Sequence, residues 1–274
     1  MSFDLYLCPV CGERLKVDGR SCLCKNRHCF DIARDGYINL ATRHTASGDH
    51  GDNREMIRAR RDFLSIGHYA HLMDTLADLA LIHTPVMGVV LDAGAGECSY
   101  TERIAHALAS AGRSARVLGV DLSKDALSLG GRRKCDIALA VASVYHLPLS
   151  DNSVDMLFEI FAPFVEEEYA RVLKSGGKMV MAIPAARHLF ELKSILYDTP
   201  YENEVQDTSL SRFRLVERRR VEKDITLEKD EDVWNLFTMT PYFYRTSPAA
   251  KEKLRHASPL TVTAAFEVLV YEKI

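Results

Sequence analysis

The chain has 274 residues, 47% hydrophobic and 27% charged, with a formal net charge of -3. That is the balance of an ordinary soluble globular protein, long enough for one large α/β domain with a small accessory unit and too short for two full-sized domains. The charge excludes a uniformly basic nucleic-acid binder, no apolar run approaches the roughly 18 residues of a membrane span, no charged leader with an apolar core opens the chain, and the expected location is the cytoplasm.

Residues 1–40 read as a hairpin-rich module. Short strand-like pieces alternate with turn residues, as where Asp18, Gly19 and Arg20 separate LKV from CLC, and no long helical period appears. Such a piece is too small to hold itself together by burial alone. Five of the seven cysteines lie within its first 29 residues, and in a reducing compartment that crowding points to a metal rather than to disulfides. Cys8 and Cys11 have the C-x2-C spacing of a zinc knuckle, and CLCKNRHCFD at 22–31 supplies the other half of a tetrahedral site. Spacing alone leaves Cys22, Cys24, His28 and Cys29 open as the third and fourth ligands.

The polar stretch ATRHTASGDHGDN, 41–53, reads as a linker. Apolar stripes then predict helices over 53–65 and 69–82. From residue 84 strands and helices alternate: strands at 87–92, 116–120, 137–141, 154–160 and 178–183, with helices at 99–111, 123–132, 165–173 and 186–197. Short continuous Val/Leu/Ile runs in such an alternation imply a parallel sheet covered on both faces. Two long strands, 215–227 and 261–273, with helices near 229–237 and 248–256, suggest an antiparallel edge.

VVLDAGAGECSYT, 89–101, is a buried strand, an acid, a GxG turn and a helix start. Gly94 and Gly96 let backbone approach a ligand at the carboxyl end of the first strand, where open α/β sheets place their sites. Asp121, ending the next strand in VLGVDLS, is placed to accept hydrogen bonds from ribose hydroxyls. A dinucleotide fold uses the same acid. Asp92 before the turn, Glu97 within it and the absence of a third glycine at Ser99 discriminate, because a pyrophosphate favours a close glycine-lined helix N-terminus. An ammonium and a sulfonium favour carboxylates, so S-adenosylmethionine (SAM) fits this loop better than NAD. After the third strand, Ser143 and Val144 fall where an adenine edge would lie.

Together VLDAGAGE, GVDLS, LPLSDNSVD and ARVLKSGGKMVMAIP resemble the class I SAM-dependent methyltransferases. The flanks CPVC, RHCFDIARDGYINL, GDNREMIRARRDFLSIGHY, IFAP, PAARHLFELK and MTP narrow the resemblance to the large-subunit ribosomal RNA guanine-N1 methyltransferases, and it runs from Cys8 to about Thr246. The resemblance implies a Rossmann-like seven-stranded mixed sheet behind an N-terminal zinc ribbon, divided as a ribbon at 1–40, a linker with two helices at 41–83 and a methyltransferase domain at 84–274. It implies Cys8, Cys11, Cys24 and His28 as zinc ligands, and Tyr69, Gly96, Glu97 and His188 as cofactor contacts. It also implies methyl transfer to N1 of a guanine in a 23S rRNA hairpin, by a homodimer whose zinc modules line the RNA cleft. Cys98 departs from the pattern, since the family usually carries glycine after GAGE.

Guanine N1 lies on the Watson–Crick edge, so the base must come from a loop or be extruded and stacked. IFAPF, 160–164, is the candidate base pocket: Phe161, Pro163 and Phe164 to stack, and the carbonyls of Phe161 and Ala162 to accept the base N–H groups. Neither Glu159, inside the strand, nor His188, assigned to the cofactor, is identified as the proton acceptor. Candidate phosphate contacts are Lys16, Arg20, Lys25 and Arg27 in the ribbon, Arg54, Arg58, Arg60 and Arg61, the run at 132–134, and RFRLVERRR at 212–220. Two other classes stand beside this one, a SAM-dependent enzyme of small molecules and a non-catalytic RNA-binding protein.

Overall fold

A computed structural model of the chain describes residues 2–41, 52–204 and 208–274; of the expected linker, residues 42–51 lie outside the described residues. Strands β1 (Leu15–Asp18), β2 (Ser21–Cys24) and β3 (Cys29–Asp31) form a small antiparallel sheet. Its first hairpin pairs Asp18 with Ser21 across Gly19, whose φ of +60° is the left-handed conformation a tight turn requires. A further strand, β4 (Tyr37–Asn39), leaves this sheet and pairs in parallel with the large one.

The large sheet contains the seven expected strands: β5 (Val89–Ala93), β6 (Arg116–Asp121), β7 (Ile137–Val141), β8 (Val154–Ile160), β9 (Leu173–Pro184), β10 (Phe213–Leu227) and β11 (Leu260–Lys273). Its order is β10-β11-β9-β8-β5-β6-β7-β4, so β4 of the N-terminal region adds an eighth strand at one edge. β11 runs antiparallel to both β9 and β10. β10 therefore runs with the other strands, and the antiparallel element is one inserted strand rather than an edge pair.

Side chains alternate across the sheet with the strand period of two. Val90, Val117, Leu139, Met156, Phe158 and Val180 face a layer of helices. That layer includes α1 (Arg54–Ser65), α2 (Ala70–His83), α3 (Ser99–Ser110), α4 (Lys124–Gly131), α6 (Phe190–Leu196), α7 (Asp230–Thr238) and α9 (Pro248–Leu254). Asn53 caps α1 by accepting from the Met56 N–H at 2.9 Å. Between α7 and α9 lies a short helix, α8 (Tyr242–Arg245), for which the sequence carries no separate signal.

The opposite face is covered differently. Leu91, Leu118, Val120, Ala138, Ala140 and Leu157 pack with α5 (Glu166–Val172) and with Phe3, Tyr6, Leu15 and Cys22 of the ribbon. The connection 142–153 between β7 and β8 has no helix, and the ribbon occupies that place. The Tyr6 hydroxyl donates to the carbonyls of Ala138 (2.9 Å) and Gly119 (3.2 Å), while Leu7 N–H donates to Pro148 O at 2.8 Å. The ribbon is thus one of the layers that bury the sheet.

Candidate active site and metal centre

The structure brings the Cys8, Cys11 and Cys24 thiols and His28 Nδ1 within 4.8 Å of one another. The three sulfurs stand 3.5, 3.3 and 3.4 Å from His28 Nδ1, and Cys11 Sγ is 3.6 Å from Cys24 Sγ. A tetrahedron with Zn–S of about 2.3 Å and Zn–N of about 2.0–2.1 Å sets its ligand atoms roughly 3.5–3.8 Å apart, so the four atoms fit one zinc ion. The ligands come from two tight turns, and Arg27 at φ +64° bends the second so that His28 faces Cys24. Cys22 and Cys29 stand outside the cluster. Cys22 is fully buried between ribbon and sheet, whereas Cys29 is exposed.

The second site lies where β5, β6, β7 and β8 end. Gly94 has φ +94°, and a Cβ there would stand 2.4 Å from the Cβ of Ala162. Glycine is therefore required twice over, by conformation and by contact between the loop and the IFAPF turn. Asp121 accepts from Gly96 N–H at 2.9 Å through one oxygen and from Ser123 N–H at 2.7 Å through the other. Its carboxylate braces the loop, and lone pairs remain for other donors. Burial raises its pKa. Asp92 accepts from the Thr101 hydroxyl at 2.5 Å, but its other oxygen is buried without a partner among the described residues. Burial pushes this carboxyl up to about 7.

Glu97 is turned toward the α4 side of the loop. It forms a buried ion pair with Arg133, which also takes the Glu97 carbonyl at 2.7 Å and Glu102 at 2.5 Å. Ser143, at the end of β7, accepts from Tyr145 N–H at 3.2 Å and shapes the next connection. Cys98, where the resemblance implies glycine, adopts φ +68°, a left-handed conformation that glycine takes freely, and its thiol is fully buried. The thiol packs against Gly130 of α4, where a Cβ would meet it at 2.4 Å.

Tyr69 and His188 arrive from distant parts of the chain. Tyr69 precedes α2, and its hydroxyl is buried without a partner among the described residues. His188 accepts from Ala265 N–H at 3.2 Å through Nδ1, which leaves the proton of the neutral ring on Nε2. Burial lowers its pKa to about 3. Both rings pack on Phe266 of β11, with centroids at 5.0 and 4.6 Å, and Phe266 in turn meets Phe161 at 5.6 Å, which meets Tyr100 at 6.2 Å. Phe266 and Tyr100 are not among the expected site residues. The inward phase of TVTAAFEVLV is the signal that points to Phe266.

The IFAPF turn is held rather than buried. Phe161 has φ +55° and is 44% exposed, and Phe164 is 36% exposed. Glu159, itself buried, accepts from Ala162 N–H at 2.8 Å, and Tyr169 donates to Pro163 O at 2.8 Å. Desolvation pushes the Glu159 carboxyl up to about 8.

The basic clusters divide. Arg54, Arg60 and Arg61 pair with Asp125, Asp52 and Asp62, and Arg132 pairs with Asp35. Arg212, Arg214, Arg219 and Arg220 also sit on carboxylates. In the ribbon Lys25 pairs with Glu13, but Lys16, Arg20 and Arg27 are exposed without an acidic partner among the described residues. A cavity of about 580 Å³ lined by Asp151, Arg171, Arg212 and Lys273 lies by the amino end of β8, opposite the glycine loop.

Two family models match, one described as RlmA, N-terminal, over residues 6–42 and one described as a methyltransferase domain over residues 90–177. A Micromonospora griseorubida protein provisionally named a 23S rRNA (guanine-N(1)-)-methyltransferase is 34% identical, with 97% of each chain covered. YxjB of Bacillus subtilis (strain 168), provisionally given the same name, is 29% identical over 98% of each chain. The 23S rRNA (guanine(748)-N(1))-methyltransferase of Streptomyces fradiae is 31% identical, covering 81% of this chain and 80% of its own. With a ribbon whose four ligand atoms converge, a mixed sheet carrying a glycine loop at its strand ends, and relatives of this identity over nearly its whole length, the chain belongs to the 23S rRNA guanine-N1 methyltransferase family.

Proposed function

We propose that this protein transfers the methyl group of SAM to N1 of a guanine in a hairpin of 23S rRNA. The observation that carries the reading is the IFAPF turn. Its two phenyl rings stand open to solvent while Glu159 and Gly94 lock its backbone against the glycine loop. A surface that exposes aromatic rings on a rigid mount beside a cofactor loop suits an unstacked base.

The donor site fits SAM on the chemistry of its groups. The orphaned oxygens of Asp92 and Tyr69 are buried polar atoms that call for a partner. Asp92, Gly94, Gly96, Asp121, Ser143, Tyr69 and His188 would hold the molecule, with Glu97 securing the loop through Arg133. Bound there, SAM supplies an electrophilic methyl on its sulfonium. The protein's part is to align the guanine edge with that methyl and to exclude water, and such alignment supplies most of the acceleration in an in-line displacement. Phe161 and Phe164 stack the base, and the Phe161 and Ala162 carbonyls accept from its exocyclic amino group, which leaves N1 facing the methyl. The N1 proton is released to solvent as the methyl is transferred.

Zinc on Cys8, Cys11, Cys24 and His28 leaves no open position, so its role is structural. The exposed Lys16, Arg20 and Arg27 give the ribbon a face for RNA phosphates. The reading includes a homodimer, as the family resemblance implies, and a cytoplasmic location. Seven unpaired cysteines support a reducing compartment. Among the described residues no helix is long and apolar enough to cross a membrane.

The test is incubation of the zinc-loaded protein with SAM and 23S rRNA fragments, followed by mass spectrometry of the nucleosides. New N1-methylguanine is expected. Its absence from every ribosomal RNA substrate would overturn the reading, and methyl transfer to a small-molecule panel instead would replace the substrate class.

A further inference from the structure

Outside both sites, three ligand-type side chains converge on the surface. Glu102 and His106 are four residues apart on α3 and so share one helix face. Cys135, from the turn before β7, meets them there. Its Sγ is 3.1 Å from His106 Nε2 and 3.7 Å from Glu102 Oε1, and the three ligand atoms lie within 4.8 Å of one another. We propose that Glu102, His106 and Cys135 form a second, solvent-open binding site for a zinc-class divalent transition metal.

Ligand chemistry sets the class. A thiolate, an imidazole and a carboxylate together favour Zn²⁺, Co²⁺ or Cu²⁺ over Mg²⁺ or Ca²⁺, which want oxygen ligands alone. Orientation is set by Arg133, which occupies Glu102 Oε2 and leaves Oε1 toward the sulfur. Charge also fits. Arg133 is already balanced between Glu97 and Glu102. With Cys135 as thiolate the group of four carries two net negative charges, which one divalent ion neutralises. Binding forms the sulfur–metal bond as the thiol proton passes to solvent, and burial together with Glu102 keeps that proton on the free thiol. Access is open, because His106 is exposed and Cys135 borders a surface depression of about 440 Å³. Water completes the coordination, unlike the closed ribbon site.

The experiment is metal stoichiometry on the full chain with its ribbon zinc in place. Zn²⁺ is titrated against a chromophoric chelator and Co²⁺ is followed by thiolate charge-transfer absorption. The wild-type protein is expected to take up a second equivalent that shows a cobalt–thiolate band. Cys135→Ser is expected to abolish the band, and both Cys135→Ser and His106→Ala to weaken the second equivalent at least tenfold, with the first unchanged. These two positions are partly or fully exposed, and circular dichroism melts verify the fold of each variant. A wild-type protein that stops at one equivalent, or a second equivalent indifferent to Cys135→Ser, would overturn the proposal.

Discussion

The thiol of Cys98 occupies the space in which a side chain at Gly130 would begin, 2.4 Å from the position of its Cβ. Cys98 also holds a left-handed backbone that a glycine would adopt freely. The two positions therefore act as a pair across α4 and the glycine loop. Gly130→Ala is expected to destabilise by about 1–3 kcal/mol, the usual cost of overpacking a filled core. Adding Cys98→Gly, which removes the obstructing sulfur, is expected to restore most of that loss. Denaturant melts of the two single variants and the double variant read the coupling directly, and additive effects would show that the two side chains do not compete for one space.

For the zinc ligands the structure separates two thiols that spacing alone left equivalent. Cys24→Ser is expected to lose the ribbon zinc, while Cys22→Ser and Cys29→Ser keep it. The two differ in stability, because Cys22 is fully buried against the sheet and Cys29 is exposed. A serine hydroxyl at 22 is buried in apolar surroundings at a cost of roughly 1–3 kcal/mol, so Cys22→Ser melts earlier and Cys29→Ser does not. Elemental analysis for zinc and thermal melts on the same samples check both halves.

Three buried groups make opposing contributions to the pH dependence of stability. Glu159 has its carboxyl raised to about 8 from an ordinary 4.5, and Asp92 is raised to about 7 from 3.8. The folded chain keeps protons that the unfolded chain has released, so stability declines as pH climbs between those values. His188, lowered to about 3 from 6.5, acts in the opposite sense. The unfolded chain gains a proton that the folded chain refuses, and stability declines as pH drops below about 6.5. Glu159→Gln keeps an acceptor for Ala162 N–H and is expected to flatten the decline between pH 5 and 8. His188→Gln is expected to gain stability relative to the wild type as pH drops below about 6.5. Melting temperatures across pH 4–9, read as each variant's difference from the wild type, isolate the two contributions.

RNA binding through the ribbon makes a salt-dependence prediction. Arg20→Ala and Arg27→Ala are expected to weaken binding of 23S rRNA fragments of any sequence to a similar degree. Each is expected to reduce the slope of log affinity against log salt by about 0.7–0.9 for every phosphate left without its cation. Arg214→Ala, whose cation is already committed to Glu272, is expected to leave the slope unchanged. Filter-binding titrations at three salt concentrations distinguish these outcomes.

The alternation of buried strands and amphipathic helices is a local pattern, and residues 84–274 display it plainly enough to place each of the seven strands. The same locality explains what stayed hidden. β10 and β11 read as two edge strands, because whether the last strand adds outside its neighbour or inserts before it depends on pairing between segments far apart in the chain. Arg133 comes beside Glu97 from 36 residues further along the chain, and Phe266 joins Tyr69, His188 and Phe161 only once β11 enters the sheet. The four zinc ligands are the opposite case. Two tight turns close together in the chain fix their geometry, so little depends on the rest of the fold.

The ribbon stands where a covering helix is missing between β7 and β8. Metal starvation therefore reaches well beyond the accessory module. An ion-free ribbon that melts away would uncover Leu118, Val120, Ala138 and Ala140 together, a continuous oily face of the kind that draws chaperones and seeds aggregation. The catalytic half of the chain thus inherits a nutritional requirement from an ion that takes no part in methyl transfer.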